Sequence, residues 1–245
     1  MSRPRLDQAL VSLGLAPSRA RAQALIAAGA VAVDDAVERR PAARPSPGAR
    51  IAVTEDPCPW VSRAALKLLH ALDAFGLSPA GEALDLGAST GGFTEVLLAR
   101  GAAHVTALDV GRGQLDPGLA ADPRVTLMEG VNARDLAPGD VPAPDWITAD
   151  LSFIGLEKAS PPALALARPD ATLVALIKPQ FEAGRAAVGR GGLVRDPAVH
   201  AAVRNRIRGF LETAGWRVIG EAESPITGGD GNREFLIAAA RREGR

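Results

Sequence analysis

Four side chains stand where chemistry could be done: Lys67, Asp150, Lys178 and Glu234. Asp150 ends the apolar run Trp146-Ile147-Thr148-Ala149 and precedes Leu151-Ser152-Phe153-Ile154. Lys178 ends Leu173-Val174-Ala175-Leu176-Ile177 and precedes Pro179-Gln180-Phe181-Glu182, and Glu234 lies in Asn232-Arg233-Glu234-Phe235. Two amines and two carboxylates converging in one crevice make an acid–base site. Crowded cations and burial disfavour the ammonium form of a lysine and leave a neutral amine to act as base. The carboxylates would orient the amines and offset their charge. Such a base suits removal of a hydroxyl proton, help worth roughly 10²–10⁴ in rate. Composition singles out the same lysines. Of 28 basic residues only Lys67, Lys158 and Lys178 are lysine; the rest are arginine. Arginine stays charged, whereas a desolvated lysine shifts its proton readily. Lys158, on an expected helix face, is the one assigned no role.

These side chains need elements to position them, and one stretch organises the rest. Ala83-Leu84-Asp85-Leu86 reads as a buried strand, Gly87-Ala88-Ser89-Thr90-Gly91-Gly92 as a tight turn of small residues, and 93–100 as a helix. Glycine lets backbone approach a ligand closely, and the first N–H groups of a helix point at something electron-rich. The spacing is neither the dinucleotide G-x-G-x-x-G nor a P-loop. A second strand, His104-Val105-Thr106-Ala107-Leu108-Asp109, ends in an acid 22 residues beyond Gly87. An acid there can accept hydrogen bonds from both hydroxyls of a ribose. A ligand-free strand–turn–helix is the alternative, and the placement of Asp109 argues against it. Asp85, the turn residues Gly87, Ser89, Thr90, Gly91 and Gly92, and Phe93 resemble the first motif of an S-adenosylmethionine (AdoMet)-dependent methyltransferase. Asp109 and Asp150 join them as expected cofactor contacts, with Glu129 and Asn132 on the adenine side.

Further strands are expected at 125–128, 145–150, 171–177, 217–223 and 234–240, and helices from Ser62 as N-cap to 75 and over 198–214. Strands alternating with helices give an α/β, Rossmann-like doubly wound sheet, whose ligands sit at the carboxyl ends of strands. Asp109, Asp150 and Lys178 fall at such ends. The expected organisation is a small α+β domain over 1–55, a proline-stiffened linker over 56–61, and the Rossmann-like domain over 62–245.

In the small domain, Leu6, Leu10, Leu13 and Leu15 lie near helical spacing, and Gly14 is expected to stop the helix. Pro17-Ser18 starts a second helix ending at Gly29, with Ser18 as N-cap. A strand over 30–33, an Asp34-Asp35 turn and a short strand at Ile51-Ala52-Val53 follow. Residues 1–50 carry eight arginines and four acids, net +4, in a chain whose total is zero. Arg3, Arg5, Arg19 and Arg21, with Ser18, sit near the helix starts and suit phosphate contacts. The pattern Arg5-Leu6-Asp7 … Gly14-Leu15-Ala16-x-Ser18-Arg19-x-x-Ala22 … Ile26-x-x-Gly29-x-Val31-x-Val33 resembles the small RNA-binding fold shared by a ribosomal small-subunit protein, bacterial tyrosyl-tRNA synthetases and many pseudouridine synthases. Asp35 stands where that fold has glycine, and Asp tolerates left-handed geometry.

Taken with Ser62-Arg63-x-x-x-Lys67-Leu68, Asp109-Val110-Gly111-x-Gly113-Gln114-Leu115, Asp150-Leu151-Ser152-Phe153-Ile154, Lys178-Pro179-Gln180-Phe181-Glu182 and Asn232-x-Glu234, nearly the whole chain resembles the TlyA (haemolysin A) family. Its catalytic domain is similar to FtsJ-type ribose methyltransferases, whose Lys-Asp-Lys-Glu tetrad corresponds to Lys67, Asp150, Lys178 and Glu234. The resemblance implies AdoMet as cofactor and methylation of cytidine 2′-hydroxyls in ribosomal RNA, the 50S subunit preferred and the 30S a second substrate. Ala64-Ala65 stands where the family has Gly-Gly or Gly-Ala. The chain stops soon after its last strand, whereas members acting on both subunits carry a longer tail; large-subunit RNA alone is the expectation.

Phe153 and Phe181 could stack on a base, though core packing is the first expectation for each. Gly189-Arg190-Gly191-Gly192 reads as a flexible loop over the site. One cysteine, scattered histidines and no apolar stretch of 18 residues give no disulfide framework, no metal signature and no membrane span. The chain is expected to be cytoplasmic, and a monomer or weak dimer. Two other readings are a ribosome-binding factor without catalysis and a membrane-active haemolysin.

Overall fold

The structure, a computed structural model, describes residues 3–16, 18–54 and 58–242. Pro17, expected to start a helix, and Asp56 and Pro57 of the expected linker lie outside the described residues. The chain divides into two units, Met1–Pro59 and Trp60–Arg245. Trp60 and Val61, expected in the linker, pack on the core of the second unit. The Val61 N–H donates to Glu95 Oε2 at 2.7 Å.

The first unit holds α1 (Leu6–Ser12), α2 (Arg19–Ala28) and a small antiparallel sheet of β1 (Val31–Val33), β2 (Ala36–Val37) and β3 (Ile51–Val53), in the order β2-β1-β3. Ser18 Oγ caps α2 by accepting the Arg21 N–H at 3.2 Å, and Gly29 ends it at φ 79°. Asp34 and Asp35 take φ 50° and 67°, the left-handed pair that a two-residue hairpin turn requires. Leu6, Leu10, Leu25, Ile26 and Val31 form the core. Leu13 and Leu15 miss it, 59% and 36% exposed, because α1 ends at Ser12 and the following residues leave the helical face.

The second unit runs α3 (Ala64–Phe75), β4 (Gly81–Leu86), α4 (Gly92–Ala99), β5 (Ala102–Asp109), α5 (Pro117–Ala120), β6 (Val125–Glu129), β7 (Trp146–Ala149), α6 (Leu156–Ala159), α7 (Pro161–Leu166), β8 (Thr172–Ile177), α8 (Pro179–Glu182), α9 (Pro197–Thr213), β9 (Trp216–Glu223) and β10 (Phe235–Arg241). Arg63, not Ser62, is the N-cap of α3; the Ser62 hydroxyl instead packs against Gly92. The seven strands form one sheet, β6-β5-β4-β7-β8-β10-β9. Side chains alternate across a strand, and here both faces are covered. Leu84, Leu86, Ile147, Leu173, Ala175 and Ile177 enter one core. Ala83, Val105, Ala107, Val174 and Leu176 enter the other. Pairs from β6 to β8 are parallel, while β10 runs antiparallel to both β8 and β9. That reversal positions the site. Phe235 pairs with Ile177, so Glu234, just ahead of β10, arrives beside Lys178 at the carboxyl edge of the parallel strands. Among the described residues no helix is long and apolar enough to cross a membrane.

Candidate active site

Three neighbouring strand ends and one helix deliver the four chemical side chains. Lys67 lies in the first turn of α3, Asp150 follows β7, Lys178 follows β8 and caps α8, and Glu234 precedes β10. Lys67 Nζ lies 2.5 Å from Glu234 Oε2 and 3.9 Å from Asp150 Oδ2. Lys178 Nζ lies 2.5 Å from Asp150 Oδ1 and donates to Ser152 Oγ at 2.9 Å. The Lys178–Asp150 contact is an ion pair without hydrogen-bond alignment, since Oδ1 accepts no hydrogen bond. Lys67, Lys178 and Glu234 are buried. The charges alternate as Glu234, Lys67, Asp150, Lys178. The Asp150 carboxylate is therefore shared by the two amines, Oδ2 facing Lys67 and Oδ1 facing Lys178. Burying such groups costs desolvation that their attraction barely repays, so the cluster is not explained as a packing device.

The glycine turn lies against the same strand end. Gly87 takes φ 81°, and a Cβ on it would stand 2.8 Å from the backbone carbonyl oxygen of Asp150. Gly87, Ser89, Asp109, Asn132 and Asp150 line a cavity of about 520 Å³, with Gln114 and Phe153 also in its wall. A second cavity, of about 310 Å³, is lined by Ser62, Arg63, Thr90, Gly92, Phe93 and Lys178. Gly87, Ser89, Asp150 and Ser152 belong to both walls, so the two spaces meet at the charged chain. Such volumes suit a small organic ligand. Asp109 Oδ2 accepts the Ser89 N–H at 2.8 Å and Oδ1 the Gly111 N–H at 2.7 Å. Each carboxylate oxygen retains a lone pair for a hydroxyl.

Several expected cofactor contacts do other work. Asp85 is fully enclosed and lines neither cavity. Its oxygens accept from Thr94 Oγ1 at 2.7 Å and Thr148 Oγ1 at 2.9 Å, bracing β4 against α4 and β7. Burial pushes its pKa up to about 6, against those two hydroxyl bonds. Gly91 serves packing: at φ 97° a side chain would strike Leu119 and Leu115. Glu129 Oε1 accepts the Gly113 N–H at 2.7 Å, shaping the loop that presents Gln114, and does not line the cavity. Asn132 reaches the cavity wall, while its Oδ1 accepts the Arg134 N–H at 3.1 Å.

Phe153 is 92% exposed at φ 66°, at the tip of the loop after Asp150. The expectation of core packing fails there, because the left-handed turn lifts the ring off the sheet. Its ring meets that of half-buried Phe181, centroid to centroid at 5.3 Å. The Gly189–Gly192 loop is pinned where a flexible loop was expected. Asn232 Oδ1 accepts the Val194 N–H at 2.9 Å and its Nδ2 donates to the Gly192 carbonyl at 3.0 Å. Sequence reasoning missed Gln114 and Ser152, whose only signal was their place beside a recognised motif. Among the described residues no group of His, Cys, Asp and Glu could hold a metal ion.

In the first unit, Asp7 is fully buried and draws in two of the expected phosphate contacts. It pairs with Arg5 Nε at 3.0 Å and Arg19 Nε at 2.9 Å, and accepts from Gln23 at 2.8 Å. The Arg5 bond, with those of Gln23 and Arg19, holds its carboxyl far below the usual range despite burial. Arg21 donates to the Cys58 carbonyl, and Ser18 is engaged in its cap. Arg3 is exposed.

The chain matches the FtsJ-like methyltransferase family over residues 60–241 and the S4 domain over residues 4–51. It is 46% identical to the 16S/23S rRNA (cytidine-2′-O)-methyltransferase TlyA of Mycobacterium tuberculosis, over 96% of this chain and 89% of that one. It is 34% identical to the 23S rRNA (cytidine-2′-O)-methyltransferase TlyA of Campylobacter jejuni, over 72% of this chain and 69% of that one. A solved hemolysin-type structure from Streptococcus thermophilus superposes with a TM-score of 0.78 at 37% identity, covering 99% of this chain and 90% of that one.

Proposed function

The chain belongs to the TlyA family of FtsJ-like methyltransferases, and we propose that it transfers a methyl group from AdoMet to the 2′-hydroxyl of a cytidine in ribosomal RNA. One observation carries this reading: the alternating chain Glu234–Lys67–Asp150–Lys178 opens on a cavity whose wall holds Asp109 and the Gly87 turn.

The residues fit AdoMet. Asp109 would take the ribose hydroxyls, the Gly87–Gly92 turn would bring backbone against the methionine arm, and Asn132 would face the adenine. The chemistry AdoMet supplies when bound is an electrophilic methyl on sulfur. The protein supplies the rest. Lys178, in its neutral amine form, takes the 2′-hydroxyl proton at Nζ as the ribose oxygen becomes the nucleophile, and Asp150 stabilises the ammonium that results. Asp150 and Ser152, at 2.5 and 2.9 Å, keep that amine aimed. Glu234 fixes Lys67, whose amine faces the other oxygen of Asp150 and holds that carboxylate in place. Exposed Phe153 offers a face on which the target base can stack. Positioning of this kind supplies much of the rate, roughly 7–11 kcal/mol of barrier when the reacting atoms are held in line.

The large subunit is the proposed substrate: 23S RNA is the target common to the names of both relatives, and 30S is the second. The first unit, an S4 domain, would hold the RNA through Arg3 and its neighbours. An enzyme with this substrate works in the cytoplasm; a monomer or weak dimer is the proposed state. The test is nucleoside mass spectrometry of RNA from 50S and 30S subunits after incubation with AdoMet. The reading requires 2′-O-methylcytidine in 50S RNA; methyl groups found only on bases would overturn it.

A further inference from the structure

Glu182 lies outside the charged chain, yet it ties together the two strand ends that carry Asp150 and Lys178. It is the last residue of α8, which starts directly after Lys178. Its side chain turns back toward the loop after β7. Oε1 accepts the Leu156 N–H, the first of α6, at 2.7 Å. Oε2 lies so close to Gly155 that a Cβ there would stand 2.7 Å from it. Arg206 grips the same residue twice, with an Nη 2.8 Å from its carbonyl oxygen and 3.1 Å from Oε2, and also pairs with Glu157 at 2.9 Å. Burial raises the Glu182 pKa, against the Leu156 N–H bond and Arg206. A carboxylate this enclosed is retained at a cost. What it holds is the loop that places Ser152 on Lys178 and leaves Phe153 exposed beside Phe181.

We propose that Glu182 is a positioning residue that fixes the 151–156 loop against Lys178 for the methyl-accepting nucleotide. The inference rests on the proposed ribose methylation but makes a separate structural claim. The Leu156 bond closes a short circuit of chain, Asp150 to Leu156 on one side and Lys178 to Glu182 on the other. Cutting it lets Ser152 and Phe153 move relative to the amine while every member of the tetrad stays in place. Displacement near 1 Å is enough to cost on the order of 10²-fold in rate.

The experiment compares Glu182→Ala, Glu182→Gln and Gly155→Ala with the wild type, in single-turnover methyl transfer at saturating AdoMet and RNA. Hydrogen exchange of the 151–156 amides is followed alongside. Glutamine keeps an acceptor for the Leu156 N–H, so its rate should stay within about threefold of wild type, whereas alanine should lose about 10–100-fold. Gly155→Ala leaves Glu182 intact but pushes its carboxylate off the loop, and should reproduce the alanine loss if Glu182→Ala fails to fold. Both should speed exchange at Leu156. Exchange does not depend on the reaction: a wild type that transfers no methyl group would sink the proposed function, while protected loop amides in Glu182→Ala would sink this inference. A Gln variant as slow as Ala, or an Ala variant at wild-type rate, would also overturn it.

Discussion

Lys67 Nζ and Glu234 Oε2 meet at 2.5 Å although 167 residues separate them in sequence. Neither reaches water freely, so each answers for the charge of the other. Removing one partner leaves an uncompensated buried charge, which costs about 3–5 kcal/mol. Lys67→Ala and Glu234→Ala should each lose that much in urea denaturation. The double variant should lose less than their sum, with a coupling of about 1–3 kcal/mol. Strict additivity would mean that the pair is not coupled.

Two buried carboxyls give the units opposite responses to acid. Asp85, held at about 6 against an ordinary 3.8, binds more protons folded than unfolded between those values. Stability of the second unit should therefore fall as pH rises from 4 to 6, by roughly 3 kcal/mol from this group. Asp7, held low by Arg5, Gln23 and Arg19, stabilises the first unit above its ordinary value of 3.8 and loses that contribution progressively as pH falls from there toward its own, far lower value. Asp85→Asn should flatten the first dependence, measured by calorimetry across pH 4–7, and Asp7→Asn the second, measured as pH is lowered from 4 into the strongly acid range. Unchanged slopes in the variants would contradict both assignments.

Gly87→Ala tests the contact between the glycine turn and the β7 end. The left-handed φ costs alanine about 1–2 kcal/mol, and the added carbon would press on the Asp150 carbonyl. Calorimetry should show AdoMet affinity at least tenfold weaker than wild type. Affinity within twofold would mean that the turn does not border the cofactor.

RNA binding should divide the arginines. Arg3→Ala should weaken binding to ribosomal RNA and lower the salt slope by about one unit, with melting temperature and AdoMet affinity unchanged. Arg19→Ala should weaken binding and also lower the melting temperature, because Asp7 loses a partner at 2.9 Å. Should AdoMet affinity fall in step with RNA affinity, the assignment of RNA binding to the first unit would be wrong.

Much of this was legible in the chain. Apolar runs marked the strands around Asp85, Asp109, Asp150 and Lys178, and the ends of the last three placed a side chain at the ligand edge. The reversal of β10 was not legible, since a strand pattern carries no direction; yet that reversal brings Glu234 to Lys67. Asp85 read as a cofactor contact because it adjoins the glycine turn, and only the threonines on α4 and β7 reveal that it faces inward. Asp7 stood in the sequence only as part of the small-domain pattern, and its burial between Arg5 and Arg19 had no signal there. Phe153 read as core because its neighbours are apolar; a positive φ at a phenylalanine has no signature in sequence.

The most direct measurement is methyl transfer from labelled AdoMet to purified 50S subunits under single-turnover conditions, wild type beside Lys178→Ala. The account predicts label at a cytidine 2′-oxygen with wild type and a rate lower by at least about 10²-fold without the lysine, AdoMet affinity being retained. Label that survives the substitution at an undiminished rate would contradict the account and take the base away from Lys178.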